Sequence, residues 1–489
     1  MSGKSGSLQT YSAILLRVLL VGQLAAIQPV WAIGVPDLLE DPLWTQPDRL
    51  KNGATLPDDS PLPCPAQIDF KRPLALGDAV DVALCNNPQV RGAWAQIKVE
   101  AGGLGQARAA YLPTINGSYS RLKNSTTYPA TSNIPNSFTI GNQAYGSFNW
   151  RLFDFGGRAA NRESANQLLA AAMSGHDAAL QKVMVSVIQA YFDAMSGKAL
   201  YEARRQMADL AENTLNATKR REMKGAAALS DSLQASTALA KARLNESRSG
   251  GDYQKSLGVL KQAMGIPAST QIHLPIQIEG YQQTDIKDLN SWLTEAEEKH
   301  PAIKQAKAKW ASDKAKITAT RSEGLPTLDG TAYISRNGYP NQGLSYVNQT
   351  VISGGITINF PIFEGFGRTY KVRGAEAQAE LSEAQLQDTT NQILTDVIRA
   401  HADATTSLGV LNASERLLMS AKEAVQSSQR RYDKNAADIL ELLNTQAALA
   451  DAQQERIRAV AEYRSARLRL LANTGILGKM ASSEGKSTY

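Results

Sequence analysis

The residues best suited to chemistry are few and dispersed. Four histidines, His176, His273, His300 and His401, fall at no spacing that gathers metal ligands. Glu297 and His300 make one Glu-x-x-His, half of the pattern that holds paired iron ions between helices. No second such helix follows, and Pro301 ends the first. The tail Glu484-Gly485-Lys486-Ser487-Thr488 looks like the end of a phosphate loop, but Met480 stands where the earlier glycine is required. No Gly-x-Ser-x-Gly elbow occurs. The chain is therefore expected not to be an enzyme and to need no metal or cofactor. Its net charge is +6. Lys4 and Arg17 belong to a segment expected to be removed, leaving 6 − 2 = +4. Acids and bases are interleaved, so no nucleic-acid partner is expected.

What remains are elements that position one another. Only 6% of the 489 residues are aromatic, while Ala, Gln, Leu, Arg and Ser crowd the long middle segments. That bias suits extended helices packed side by side. Residues 1–32 read as a signal peptide: Lys4, an apolar run interrupted by Arg17, and a small-x-small end at Ala32. An N-terminal membrane anchor is the alternative. No later segment holds 18 uninterrupted apolar residues, so residence in a membrane would require strands. A Pro-rich linker spans 33–73. Cys64 and Cys85 are either a disulfide tying that linker to the first helix or two thiols.

The first structural repeat is placed at 74–267. Helical pattern runs from Leu74 to about Tyr111, broken at Pro88, and strands are expected at 113–124 and 143–154. In the second strand Ala144, Gly146, Phe148, Trp150 and Leu152 oppose Gln143, Tyr145, Ser147, Asn149 and Arg151. A helix follows from about Ala159 to Lys224, then a break at Lys224-Gly225-Ala226-Ala227, then a helix to Met264. After an inter-repeat linker at 268–284 the plan recurs over 285–476, with strands at 326–336 and 351–361 and a polar tail at 477–489. His300-Pro301 answers Asn87-Pro88 at an offset of 213. Phe363, Arg368, Ala436, Glu441 and Gly475 answer Phe153, Arg158, Ala226, Asp231 and Gly265 at an offset of 210. One register over so many landmarks marks an internal duplication. Gly156-Gly157 and Gly365-Gly367 are expected to allow the strand-to-helix turns, and Pro113 and Pro326 to make the helix-to-strand switch.

Each repeat thus supplies two strands with one apolar and one polar face, the alternation of a transmembrane barrel. A soluble sandwich edge would alternate similarly. Four strands do not close a barrel, and open edges are not tolerated in lipid, so the chain must oligomerise. Two copies would give eight strands with a filled interior; three would give twelve and room for a pore.

The stretches "LGDAVDVALCNNPQV", "ARAAYLPTI", "FDFGGR" and "RYDKNAADILELLNTQAALADAQ", in this order and with their echoes, resemble the TolC family of outer-membrane efflux and export ducts over about Leu74 to Gly475. The "CNNP" stretch and the Pro-rich start look closest to members serving type I secretion. The resemblance implies an α+β membrane protein: duplicated strand hairpins and long helical hairpins forming a trimeric 12-stranded outer-membrane β-barrel continuous with a periplasmic α-helical barrel. It implies a homotrimer working with a periplasmic adaptor, an inner-membrane ABC or proton-driven transporter and an exported substrate. By resemblance Gly225, Ala226, Ala227, Asn435, Ala436 and Ala437 would meet the adaptor, unless they are merely hairpin turns. Glu441 and Asn444 match the pore constriction, where three converging Glu441 carboxylates would favour cations. Asp231, Ser230 and Tyr432 match the closed-state network. The basic residue expected after the turn is Ala437 instead, with Arg430, Arg431 or Lys434 as substitutes. A solvated helix surface is the plain alternative for any one of these acids. The sequence thus points to a passive exit duct for type I secretion or tripartite efflux, with a non-conducting periplasmic scaffold or adaptor as the alternative.

Overall fold

The computed structural model describes residues 41–45, 64, 70–131, 135–275, 288–337 and 349–474. The expected signal segment, most of the Pro-rich linker, the inter-repeat linker from 276 on and the tail with Gly475 lie outside these residues. Of the described residues, 41–44 fall in a separate unit, and the architecture belongs to the unit that begins at Thr45.

Helices α1 (Leu76–Asn86) and α2 (Pro88–Ala109) lead into strands β1 (Thr114–Thr126) and β2 (Ser137–Phe153). Then come α3 (Gly157–Met223) and α4 (Leu229–Met264). The second half repeats the order with α5 (Leu289–Lys299), α6 (Pro301–Ser322), β3 (Thr327–Asn337), β4 (Gln349–Asn359), α7 (Gly367–Asp433) and α8 (Ile439–Asn473). Both α3 and α7 have 67 residues. At 1.5 Å per residue each is about 100 Å long. Asn87 caps α2 by accepting from Gln89 N at 2.8 Å, and His300 caps α6 through Nδ1 from Ala302 N at 3.2 Å. Proline follows each cap, where its missing N–H costs nothing.

The strands form one antiparallel sheet ordered β1-β2-β3-β4, with β1 and β4 at its edges. β2 begins at Ser137, six residues before the expected 143. Its early part is ladder to the end of β1, with Phe138 opposite Ser125 and Ile140 opposite Lys123. The surrounding Asn, Ser and Thr disguised that alternation as loop. β4 conversely ends at Asn359 rather than 361.

Helix contacts are built from small residues and leucines. The largest core packs Val82, Leu84, Leu180, Val187, Tyr191, Leu260 and Met264 where α1 meets α3 and α4. Tyr191 donates to Leu74 O at 2.9 Å there, and burial pushes its phenol up to about 12. Trp292, Val397, Ala404 and Leu470 form the corresponding core of the second half. Ser382, Ser407, Ser414 and Ser428 are buried along α7, each donating to the carbonyl three residues earlier, which lets neighbouring helices approach. α8 also bonds across to α3: Ser465 donates to Gln189 Oε1 at 2.8 Å and Gln446 to Thr214 Oγ1 at 3.0 Å. Cys64 and Cys85 are joined as a disulfide, with their Cα atoms 5.7 Å apart.

The strand-to-helix corners correct one expectation. Phe155 and Gly156 carry positive φ at the first corner, and Gly365 and Phe366 at the second. One glycine of each pair turns the chain, and a phenylalanine takes the other left-handed place. Gly157 and Gly367 are already in helix. Gly157 serves packing: an added Cβ would collide with the Ser322 hydroxyl. Around Gly367 there is open space. The duplicated arginines lock both corners. Arg158 Nε binds Asp154 at 3.1 Å and its Nη1 the Arg151 carbonyl at 2.7 Å. Arg368 binds Glu364 at 2.7 Å and the Gly324 carbonyl at 3.1 Å. Pro113 and Pro326 stand immediately before β1 and β3.

Candidate functional site

The ends of the two long hairpins, far along the chain from the strands, hold the expected gate and tip residues. α3 ends in the same turn as α7. Ala226 N donates to Arg221 O and Ala436 N to Arg431 O, both at 2.8 Å, around Gly225 and Asn435 in the left-handed conformation. This is the hydrogen-bond pattern of a Schellman motif, and glycine and asparagine are the two residues that most readily occupy its turning position. Ala227 and Ala437 are half-buried, while Gly225, Ala226, Asn435 and Ala436 are exposed. Met223 is 80% exposed and Leu229 63% exposed, with Leu233 and Leu440 also open to solvent.

The two hairpins start their return helices differently. Asp438 accepts from Glu441 N at 2.8 Å, an ordinary cap of α8. Ala228 lacks a capping side chain, and Asp231 reaches back to accept from Ala228 N at 3.2 Å. Ser230 donates to Asp231 Oδ1 at 3.3 Å. Asp231 and Ser230 are thus engaged with each other and with their own turn.

Tyr432 is buried, and its partners come from α3. Its hydroxyl lies 3.1 Å from Thr218 Oγ1. Thr218 spends its own proton on the Thr214 carbonyl at 2.9 Å, so Tyr432 is the donor. Arg221 donates to Tyr432 O at 2.7 Å and lies 4.4 Å over the Tyr432 ring. Glu441 is half-buried and accepts from Arg431 Nη1 at 2.8 Å, while Arg431 Nη2 holds the Ala436 carbonyl at 3.2 Å. Of the three bases named as substitutes for Ala437, Arg431 is the one that pairs with Glu441. Asn444 is exposed one turn further along α8. No bond within the chain joins Tyr432 to Asp231 or Ser230 among the described residues, so the expected network divides into three local groups.

Thr218 and Arg221 were missed by sequence reasoning. Arg221 was within reach of it, since Arg221 and Arg431 keep the 210 offset three residues before each tip. Thr218 carried no such mark. Among the described residues no group of His, Cys, Asp and Glu is placed to hold a metal ion.

On the sheet, Ile115, Phe148, Ala332 and Gly354 share a row of one face, and Ile334 and Ile352 pair in the next. Ile115 is 78% and Ile352 77% exposed. The other face is polar, and near its helix end Arg151 Nε meets Asp329 at 2.9 Å, with Asn359 donating to the same carboxylate at 2.8 Å. No described helix is long and apolar enough to cross a membrane.

The model of the outer membrane efflux protein family matches residues 79–266 and 292–476, one block on each repeat. Protein CyaE of Bordetella pertussis is 31% identical over 418 residues, covering 85% of this chain and 87% of CyaE. Alkaline protease secretion protein AprF of Pseudomonas aeruginosa is 24% identical, covering 83% of this chain and 85% of AprF. Among solved structures, the Campylobacter jejuni CmeC outer membrane channel superposes with a TM-score of 0.72 at 18% identity, covering 82% of this chain and 85% of CmeC. Two matched blocks, a relative of almost equal span and the strand-to-helix architecture agree: the chain belongs to the outer membrane efflux protein family and is an exit duct of the outer membrane with a periplasmic helical part.

Proposed function

We propose that three copies of this chain close into one passive duct, a twelve-stranded barrel above a helical tunnel. The carrying observation is the sheet. Its four strands leave β1 and β4 unpaired at the edges, beneath a face of exposed isoleucines. Unpaired backbone groups cost several kcal/mol each in hydrocarbon, so the edges must be joined by further copies. The polar faces then line water, with the Arg151–Asp329 pair near the inner end.

The tips are the docking ends for a periplasmic adaptor. Small residues permit close approach of a partner's helices, and the exposed Met223, Leu229, Leu233 and Leu440 supply apolar contact area. An inner-membrane ABC or proton-driven transporter would provide the energy. The likeness to an alkaline protease secretion protein favours a type I secretion system and a protein cargo over small-molecule efflux. At the gate, trimerisation would converge three Glu441–Arg431 pairs, Asn444 and the Tyr432 clasp on one axis.

The mass of the mature protein extracted in detergent, by light scattering with single-particle imaging, tests this reading. A trimer with a long stalk under a short barrel is expected. A monomer or dimer released without detergent overturns the barrel and leaves a non-conducting periplasmic scaffold.

A further inference from the structure

The barrel strands carry four basic residues, Arg121, Lys123, Arg151 and Arg336, and one acid, Asp329. Arg151 and Asp329 pair on the polar face. The other three lie elsewhere. Tyr119 is opposite Ala144, Ala144 is opposite Arg336, and Arg121 is opposite Asn142. With a side-chain period of two, Arg121, Lys123 and Arg336 all share the face of Ile115, Phe148, Ile334 and Ile352. That face meets lipid. All three sit toward the hairpin ends, opposite to the helices. Eight residues separate Leu328 from Arg336 along β3. At 3.4 Å per residue that is about 27 Å along the strand, or about 21 Å of height at a tilt of ~40°, most of the ~25 Å apolar band of a barrel. The bases therefore stand at the upper rim of the band, at the level of the outer leaflet's head groups.

They are exposed, and no described carboxylate pairs with them. Arg121 and Arg336 line one cavity of about 460 Å³ together with Tyr119, Asn142, Ile140 and Ala144. Lys123 stands over the Phe138 ring at 4.8 Å beside it. Two guanidinium forks, a phenol and an amide converge there above exposed isoleucines. Guanidinium groups match phosphate oxygens in bidentate geometry.

We propose that this cavity is a binding site for the phosphate groups of an anionic glycolipid in the outer leaflet, with its acyl chains on Ile334 and Ile352. The inference rests on the barrel reading above. A lipid is favoured over free phosphate because the cavity opens on the apolar band itself, where acyl chains add contact area and hold the head group in place.

The test uses the full-length trimer in detergent micelles, titrated with diphosphoryl lipid A, with its dephosphorylated form and with inorganic phosphate. Bound lipid is counted by native mass spectrometry and the trimer's dissociation temperature is followed. Diphosphoryl lipid A should bind and raise that temperature; R121Q/R336Q should weaken binding about tenfold or more, while R121K/R336K, which keeps the charge without the fork, should fall between the two. Equal binding of the dephosphorylated lipid, an equal shift with inorganic phosphate, or undiminished binding by R121Q/R336Q would overturn the site. These failures leave a trimer in place, whereas failure of the barrel reading shows as loss of the trimer itself.

Discussion

His300 does in the second repeat what Asn87 does in the first, but with a titratable group. Its Nδ1 accepts a backbone N–H, which requires the neutral ring, and burial pushes its pKa down to about 4. In the unfolded chain it returns to about 6.5. Between these values the unfolded chain binds a proton that the folded chain refuses, so stability falls as pH drops from 6.5 to 4 and levels off below. His300→Asn keeps the cap and removes the proton. Its loss of stability between pH 7 and 4.5, measured by denaturant unfolding, should be smaller than that of the unaltered protein; equal losses would remove His300 from this role. Glu441 raises a different question at the same scale. Arg431 lies 2.8 Å away, so the Glu441 carboxylate of the proposed gate already faces a paired cation. Glu441→Gln should move ion selectivity toward anions and Arg431→Gln toward cations, in single-channel recordings across a salt gradient. Both groups are partly exposed, so stability should change by less than about 1 kcal/mol. Unchanged reversal potentials would assign the constriction elsewhere.

At the scale of elements, the corners between strand and helix carry the strictest demands. The chain must reverse within a few residues, and the new helix must start against α6. At the first corner Gly157 sits on Ser322, whose hydroxyl bonds the Ala319 carbonyl at 2.7 Å. Gly157→Ala should destabilise by about 1–3 kcal/mol through overpacking. Adding Ser322→Ala removes the obstructing oxygen and should recover most of that loss in a double-mutant cycle. Gly367→Ala, with open space around it, should be neutral or slightly stabilising. Thermal unfolding of the four variants reads both claims, and strict additivity at the first corner would refute the contact.

At the scale of the whole molecule, the proposed barrel requires one face of the sheet to suit lipid and the other to suit water. Phe148 lies in the middle row of the apolar face, and its chain neighbour Asn149 points to the other side. Phe148→Arg should cost about 2–4 kcal/mol of barrel stability. Asn149→Arg faces water and should cost under about 1 kcal/mol. Reversible unfolding from lipid vesicles separates the two. Equal effects would mean that neither face meets hydrocarbon and would argue for a soluble scaffold.

Much of this architecture was legible in the sequence because it is local or repeated. Period-two alternation names a strand and its faces within ten residues. Pro88, Pro113, Pro301 and Pro326 mark boundaries by steric rules that act locally. The 210-residue register exposed the duplication, and with it both tips and both corners. The tertiary structure alone decided the rest. It placed Phe155 and Phe366 in left-handed backbone beside single glycines, because an arginine–acid lock at each corner holds the turn against the local preference. It extended β2 back to Ser137, because the ladder to β1 outweighed a loop-like composition. It gave Tyr432 to Thr218 and Arg221 rather than to Asp231. That choice depends on the rotation of two 67-residue helices about their axes. A small mismatch per turn accumulates over such a length, so only the packed bundle sets which side chains meet at the tip.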